Sequence, residues 1–281
     1  MIDDLFTLIP AARGLHRESA TPIIANLPHS GLRVPEEIAA QFTPAHLRSL
    51  PNSDWHLQPL YSFLPQLGIT VLQANYSRYI VDLNRALKPP FFGSFWSAVV
   101  PEKTAFKRPI YKDGCLPSRA QVRDRIDAYY TPYHQALTGL LNDAIAQHGK
   151  VYLLDLHSFM GLITDDVCLG NAKGVTCSDK LINAAADSFA QSGYGVVQNK
   201  VFTGGHITRH YGQQPNVEAL QIEIRYPTYL PSDQIESSSP TDSVDSANTE
   251  PLPIPSYQSE IFTQAQVRLR TVFSRFVESL S

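Results

Sequence analysis

Two histidines set the chemistry worth looking for: His29 in PHSG and His157 in LLDLHSF each end an apolar run in a turn, not on a helix face. Alone, a histidine in a turn is as readily a solvated or capping residue. Two in matching contexts point to a shared metal, because a hydrolytic zinc takes about three His or carboxylate ligands and keeps one position open for water. For the third ligand the stretch NSDWH offers Asp54, with His56 as the alternative, although Asp54 also reads as a helix N-cap. Asp155 alternates to the same side of its strand as His157 and would orient that imidazole, unless it is a buried carboxylate held by backbone amides.

Glu223 sits between Ile222 and Ile224 in QIEIRY, so its carboxylate shares the polar side of a strand with Gln221 and Arg225. A carboxylate beside an activated water can take its proton and later deliver it to a leaving nitrogen. The competing reading is a cross-strand salt bridge to an arginine. In DLNR, Asn84 and Arg85 offer an amide and a planar guanidinium side by side, a pair suited to a substrate carboxylate. Arg78, seven residues before Arg85, could stabilise an oxyanion, or any of these arginines could serve a surface ion pair.

Strand ends must hold these residues. TPIIANL reads as a buried strand that runs into the PHSG turn, VYLLDLHSF as a strand covered on both faces, and ALQIEIRY as a third strand. GITVLQANYSRYIVDLNR supplies one or two more. Thr43-Pro44 marks a helix start, and a helix is expected from about Asp54 to a stop at Gly68. Ser118 caps a long helix in which Pro132 predicts a kink, Ser178 to Gly193 bounds another, and the C-terminal segment from Ser259 is an amphipathic helix. Residues 1 to 20 show little pattern and are expected to pack across the surface. Residues 86 to 117, rich in Pro, Phe and Gly, read as a long irregular excursion that walls the substrate pocket. Strands alternating with helices argue for an α/β sandwich around a largely parallel or mixed sheet, whose strand C-terminal ends share one rim.

The chain of 281 residues is read as one domain over 1–281, with a low-complexity surface insertion at about 237–255 that should carry no chemistry. A formal net charge of -3, from 23 basic and 26 acidic residues, gives no footprint for nucleic acid or an anionic membrane, so a small-molecule partner is expected, and Asn84 with Arg85 suits one bearing a carboxylate. The acidic start MIDDLFTLIP is unlike a secretory signal, and a cytoplasmic location is expected. The 3 cysteines form no CxxC pair, which leaves any metal to His and carboxylate ligands.

PHSG, the Ser53-Asp54 pair, SRYIVDLNR, DLHSF, FTGGHITRHYG and QIEIRY follow one another in this order, and together they resemble the N-formylglutamate amidohydrolase family. That family is similar to zinc carboxypeptidases and aspartoacylases in fold and site plan. The resemblance implies a three-layer α/β sandwich with a central mixed sheet, one zinc and attack by water. By the same resemblance His29 and His157 match zinc ligands, Glu223 the general base, Asn84 and Arg85 the carboxylate-binding pair, and Arg78 the carbonyl-polarising arginine. Carboxypeptidase-type sites carry an HxxE pair, but Leu32 stands three residues after His29, and Asp54 is inferred as the replacement ligand. His206 in GGHIT stands where an aromatic is expected, which bears on substrate specificity. The expected activity is hydrolysis of the N-formyl amide of N-formyl-L-glutamate to formate and L-glutamate, as in histidine breakdown. A deacylase or peptidase acting on another N-acyl amino acid is the alternative within enzymes, and a non-catalytic carboxylate- or metal-binding protein on the same fold is the alternative outside them. HExxH, GxSxG and P-loop motifs are absent.

Overall fold

The computed structural model describes residues 4–12, 20–161, 163–235 and 251–280. Its strands are β1 (Phe6–Ile9), β2 (Ile23–Leu27), β3 (Thr70–Ala74), the short β4 (Phe92–Gly93) and β5 (Val100–Pro101), β6 (Val151–Phe159), β7 (Val167–Gly170), β8 (Val196–Gln198) and β9 (Val217–Arg225). Its helices are α1 (Glu36–Ala39), α2 (Pro44–Ser49), α3 (Leu57–Leu60), α4 (Arg119–Arg125), α5 (Thr131–His148), α6 (Asp179–Ala190), α7 (His206–Tyr211) and α8 (Glu260–Ser279). Seven strands form one sheet in the order β1-β3-β2-β6-β9-β7-β8. The inner strands β3, β2, β6 and β9 are parallel, whereas β1 on β3 and β7 on β9 are antiparallel, so the sheet is mixed.

Two apolar layers cover this sheet. Tyr152, Leu154 and Leu156 of β6 pack with Leu181 and Phe189 of α6 and Leu269 and Phe273 of α8. Val151 and Leu153 pack on the other side with Tyr133, Leu137 and Leu141 of α5. The period of two along the strand thus serves two helical layers, and each fully buried leucine stabilises the sandwich by about 1.5 to 3 kcal/mol relative to exposure. The result is a three-layer α/β sandwich. No helix among the described residues is long and apolar enough to cross a membrane.

Several local expectations are corrected. The helix expected from Asp54 to Gly68 breaks into α3 and a separate 3₁₀ turn at Leu64–Leu67. Pro59 and Pro65 lack the N–H groups that a continuous helix would need, and Gly68 ends the turn at φ 81°. His56, not Asp54, precedes α3, so Asp54 is not a cap. The stretch left open as one or two strands forms one, β3; beyond it the chain winds through turns, with Ile80 N–H donating to Ser77 O and Asp82 N–H to Val99 O. Part of the patternless N-terminus forms the edge strand β1. Around Pro132 the long helix loosens into a π turn at Ile126–Tyr130 before α5 resumes, because the proline has no N–H for the preceding turn. Of the expected insertion at 237–255, residues 237–250 lie outside the described residues. At its end, Ile254 N–H donates to Arg48 O at 3.3 Å, and Pro255 O is bound by His56.

Candidate active site

Because β2, β6 and β9 are parallel neighbours, their C-terminal ends share one edge of the sheet. The chain leaving β2 turns at once, and Gly31 lets it press against the next loop: a Cβ there would lie 2.5 Å from the Asn75 carbonyl carbon and the Tyr76 oxygen. This turn carries His29, which is buried. Asp54 N–H donates to the His29 carbonyl at 3.1 Å, which fastens the loop before α3 to the same spot. The Asp54 carboxylate then lies 2.8 Å from His157 Nδ1 and 3.7 Å from His29 Nδ1. The two imidazoles, 128 residues apart in the chain by their numbering, have ring centroids 4.9 Å apart.

Each ring turns its other nitrogen to a carboxylate. His29 Nε2 is 2.7 Å from Asp82 Oδ1, and His157 Nε2 is 3.2 Å from Asp155 Oδ1. Carboxylates in this position fix the tautomer and orientation of metal-ligating histidines. The nitrogens and oxygen that His29, Asp54 and His157 offer all lie within 4.8 Å of one another and are buried. Two imidazoles and a carboxylate are a donor set suited to a divalent cation such as zinc. Burial alone would lower the His157 pKa, but Asp155 and Asp54 outweigh it and raise it well above the usual imidazole range, and a cation at the same atoms would feel the same pull. Burial and the Arg78 charge press His29 down to about 4, which leaves it neutral and able to ligate. His56 is not part of the group: its Nε2 is 2.6 Å from Pro255 O, and its ring lies against Tyr257.

Glu223 is paired with His157 in the β6–β9 register. It is buried, and Gln221 Nε2 donates to its Oε1 at 2.6 Å, while Gly205 N–H donates to the Gln221 side-chain carbonyl oxygen. Its partner is therefore a neutral amide and not an arginine. Burial is the main reason that its carboxyl is pushed up to about 7; His157 opposes the shift and Asp54 adds to it.

Arg78 donates to Asp82 Oδ2 through Nε at 3.2 Å and Nη2 at 2.6 Å, and to Asn52 O through Nη1 at 2.9 Å. Its guanidinium lies 4.7 Å from the centre of the Phe95 ring. Three of the five guanidinium donors are spent in these bonds. Asn84 Nδ2 faces His157 Nε2 at 3.0 Å and Asp155 Oδ2 at 3.5 Å, its Oδ1 accepts from Ile207 N–H at 2.7 Å, and the residue also lines the cavity onto which Arg85 opens. Arg85 bonds Phe95 O and Asn84 O, with Nη2 3.8 Å from Asp82, and is partly exposed. It lines a cavity of about 380 Å³ between the excursion (Ala86 to Ser97) and the Gly204–Arg209 segment.

Asp82 is a site residue that the sequence reading does not single out, though a carboxylate inside the apolar run YIVDL is the available signal. Burial alone would raise its pKa, but Arg78, Arg85 and His29 outweigh burial and hold it well below the carboxylate range. Asn26 and Thr208 are also missed: they donate to Asp155 at 2.8 Å and 3.0 Å and complete its bonding. Their partners are remote in sequence, and no local pattern marks them.

A family profile described as N-formylglutamate amidohydrolase matches residues 21–230. The N-formylglutamate deformylase of Pseudomonas aeruginosa is 34% identical over 224 residues, which cover 76% of this chain and 84% of that protein. The Pseudomonas putida deformylase is 33% identical, over 74% of this chain and 82% of its own. Among solved structures, an N-formylglutamate amidohydrolase from Ralstonia eutropha superposes with a TM-score of 0.76 at 28% identity and covers 98% of this chain and 97% of its own. A gene product of Agrobacterium tumefaciens shares the fold, with a TM-score of 0.69 at 16% identity over 100% of this chain and 96% of its own.

Proposed function

The chain belongs to the N-formylglutamate amidohydrolase family, and on that premise we propose that it is a zinc-dependent hydrolase that converts N-formyl-L-glutamate and water to formate and L-glutamate. One observation carries this reading: His29, Asp54 and His157 meet at a buried point, with Glu223 in register on the next strand. A zinc ion held by those three residues would supply Lewis acidity and lower the pKa of water. Glu223 is assigned to take the proton of the attacking water and pass it to the departing glutamate nitrogen. Arg78, fixed by Asp82 and Asn52, contributes a positive charge and its unspent donors to the oxyanion that forms as water adds to the formyl carbon. Arg85 binds a substrate carboxylate. Asn84 keeps its amide on His157 and Ile207 and steadies the wall between metal group and cavity.

The test is formate release by the zinc-loaded protein from N-formyl-L-glutamate, alongside N-acetyl-L-glutamate and a glutamyl dipeptide. Formate release from the formyl compound, lost on chelation and restored by zinc, is the expected result. Preferential turnover of the acetyl or peptidyl compound would reassign the substrate within the same chemistry. Bound zinc with no hydrolysis of any of them would leave a binding protein.

A further inference from the structure

The cavity beside the metal group has a one-sided charge. Arg85, Lys88 and Arg209 line it together with His206 and Trp96, and its described lining holds no aspartate or glutamate. Lys88 comes from the excursion and Arg209 from α7, so two separate segments deliver cations to one concavity. Arg85 is partly balanced by Asp82 behind it, but no carboxylate lines the cavity itself, so an anion between the cations relieves their mutual repulsion. The Arg209 fork is oriented in advance: Nε donates to Gly204 O and Nη2 to Thr203 Oγ1, each at 2.8 Å. Arg85 lies next to Asn84, whose amide contacts His157, and so stands nearest in this chain of contacts to the metal group. One carboxylate near the reacting amide engages Arg85, which leaves the other two cations to be explained.

We propose that Lys88 and Arg209 form a second anion subsite that takes the distal, side-chain carboxylate of the substrate, so that the enzyme selects N-formylated acidic amino acids over their neutral isosteres. This rests on the hydrolysis proposed above. A side-chain amide has the size of the carboxylate but no charge, and it would set an NH₂ group against cationic donors. The site therefore discriminates by repulsion as well as attraction. Because the cavity opens to water, screening limits each cation to about a tenfold effect.

The experiment is calorimetric binding of L-glutamate and L-glutamine to the zinc-loaded protein and to its Lys88→Met, Arg209→Met and Arg209→Lys variants. Rates with N-formyl-L-glutamate and N-formyl-L-glutamine are measured in parallel. Glutamate should bind the unaltered protein about 10 to 100 times more tightly than glutamine. Each methionine variant should cut that ratio about tenfold, chiefly by weakening glutamate, and Arg209→Lys should keep part of it. Equal binding of the two amino acids, no measurable glutamate binding, or a ratio unmoved in both methionine variants overturns the subsite. Should the protein hydrolyse neither formyl compound yet show the charge-dependent ratio, the proposed reaction falls and the subsite stands. Hydrolysis with an unmoved ratio overturns the subsite and leaves the reaction standing.

Discussion

Asp82 ties His29 to Arg78: Oδ1 holds His29 Nε2, Oδ2 receives the guanidinium, and Oδ1 also accepts Asn84 N–H at 2.9 Å. Asp82→Asn would keep the shape but lose the charge that orients His29, and the expected cost is about 10- to 100-fold in zinc affinity, read by competition with a chelator. His56→Ala, which touches only the Pro255 side of the loop, should leave that affinity within a fewfold. Equal losses in the two variants would contradict the assignment of Asp54 over His56. At the neighbouring strand, Glu223→Gln can still accept from Gln221 and should retain zinc while kcat falls about 10²- to 10⁴-fold. Wild-type turnover by a zinc-replete variant would remove Glu223 from proton transfer. His29, His157 and Glu223 could be picked from the sequence because a polar residue within or just after an apolar strand has few reasons to be there. Nothing local in DLNR says which way the Asn84 amide turns, because its contacts with Asp155, His157 and Ile207 are all remote in sequence.

At the scale of elements, the site depends on how closely loops can approach. Gly31 permits the contact between the PHSG turn and the Asn75–Tyr76 backbone, and an added methyl would meet backbone atoms that cannot rotate away. Gly31→Ala should destabilise the fold by about 1 to 3 kcal/mol, the cost of overpacking. Because the displaced turn carries His29, zinc affinity should fall as well. Urea unfolding of the metal-free protein measures the first effect and chelator competition the second; a stable variant with normal zinc affinity would refute the tight approach. Long, strongly patterned elements were legible: β6 is buried along its whole length, as its continuous apolar run implies, and the buried residues of α6 and α8 follow a helical period. The errors fall where tertiary contacts override local pattern. The turns at Ser77–Asp82 are buried as deeply as a strand, so their apolar content does not mark where β3 ends. The four-residue β1 is an edge strand with little burial to leave a mark.

For the molecule as a whole, the buried imidazoles make stability depend on acid. His46 on α2 is 3% exposed, packs edge-on against Phe42 and Tyr79, and has no hydrogen-bond partner for either ring nitrogen. Burial lowers its pKa to about 3, and burial likewise lowers His134 to about 4. These groups stay neutral in the folded chain but bind protons in the unfolded chain below about pH 6.5. The unfolded state then holds more protons, so their contribution is intact above pH 6.5 and is lost as pH falls toward the folded values. The expected slope is about 1.4 kcal/mol per pH unit for each group. Glu223, raised by burial to about 7, acts with the opposite sign, since its folded form keeps a proton that the unfolded form releases between its ordinary pKa and 7. Net acid sensitivity therefore mixes several groups, and a single substitution separates one of them. His46→Leu removes a titrating ring whose buried nitrogens gain no hydrogen bonds. Between pH 7 and pH 5 the unaltered chain should lose about 2 kcal/mol more stability than this variant. Urea unfolding of both proteins at the two pH values gives the comparison, and parallel losses would mean that the His46 ring is already protonated or solvated in the folded chain.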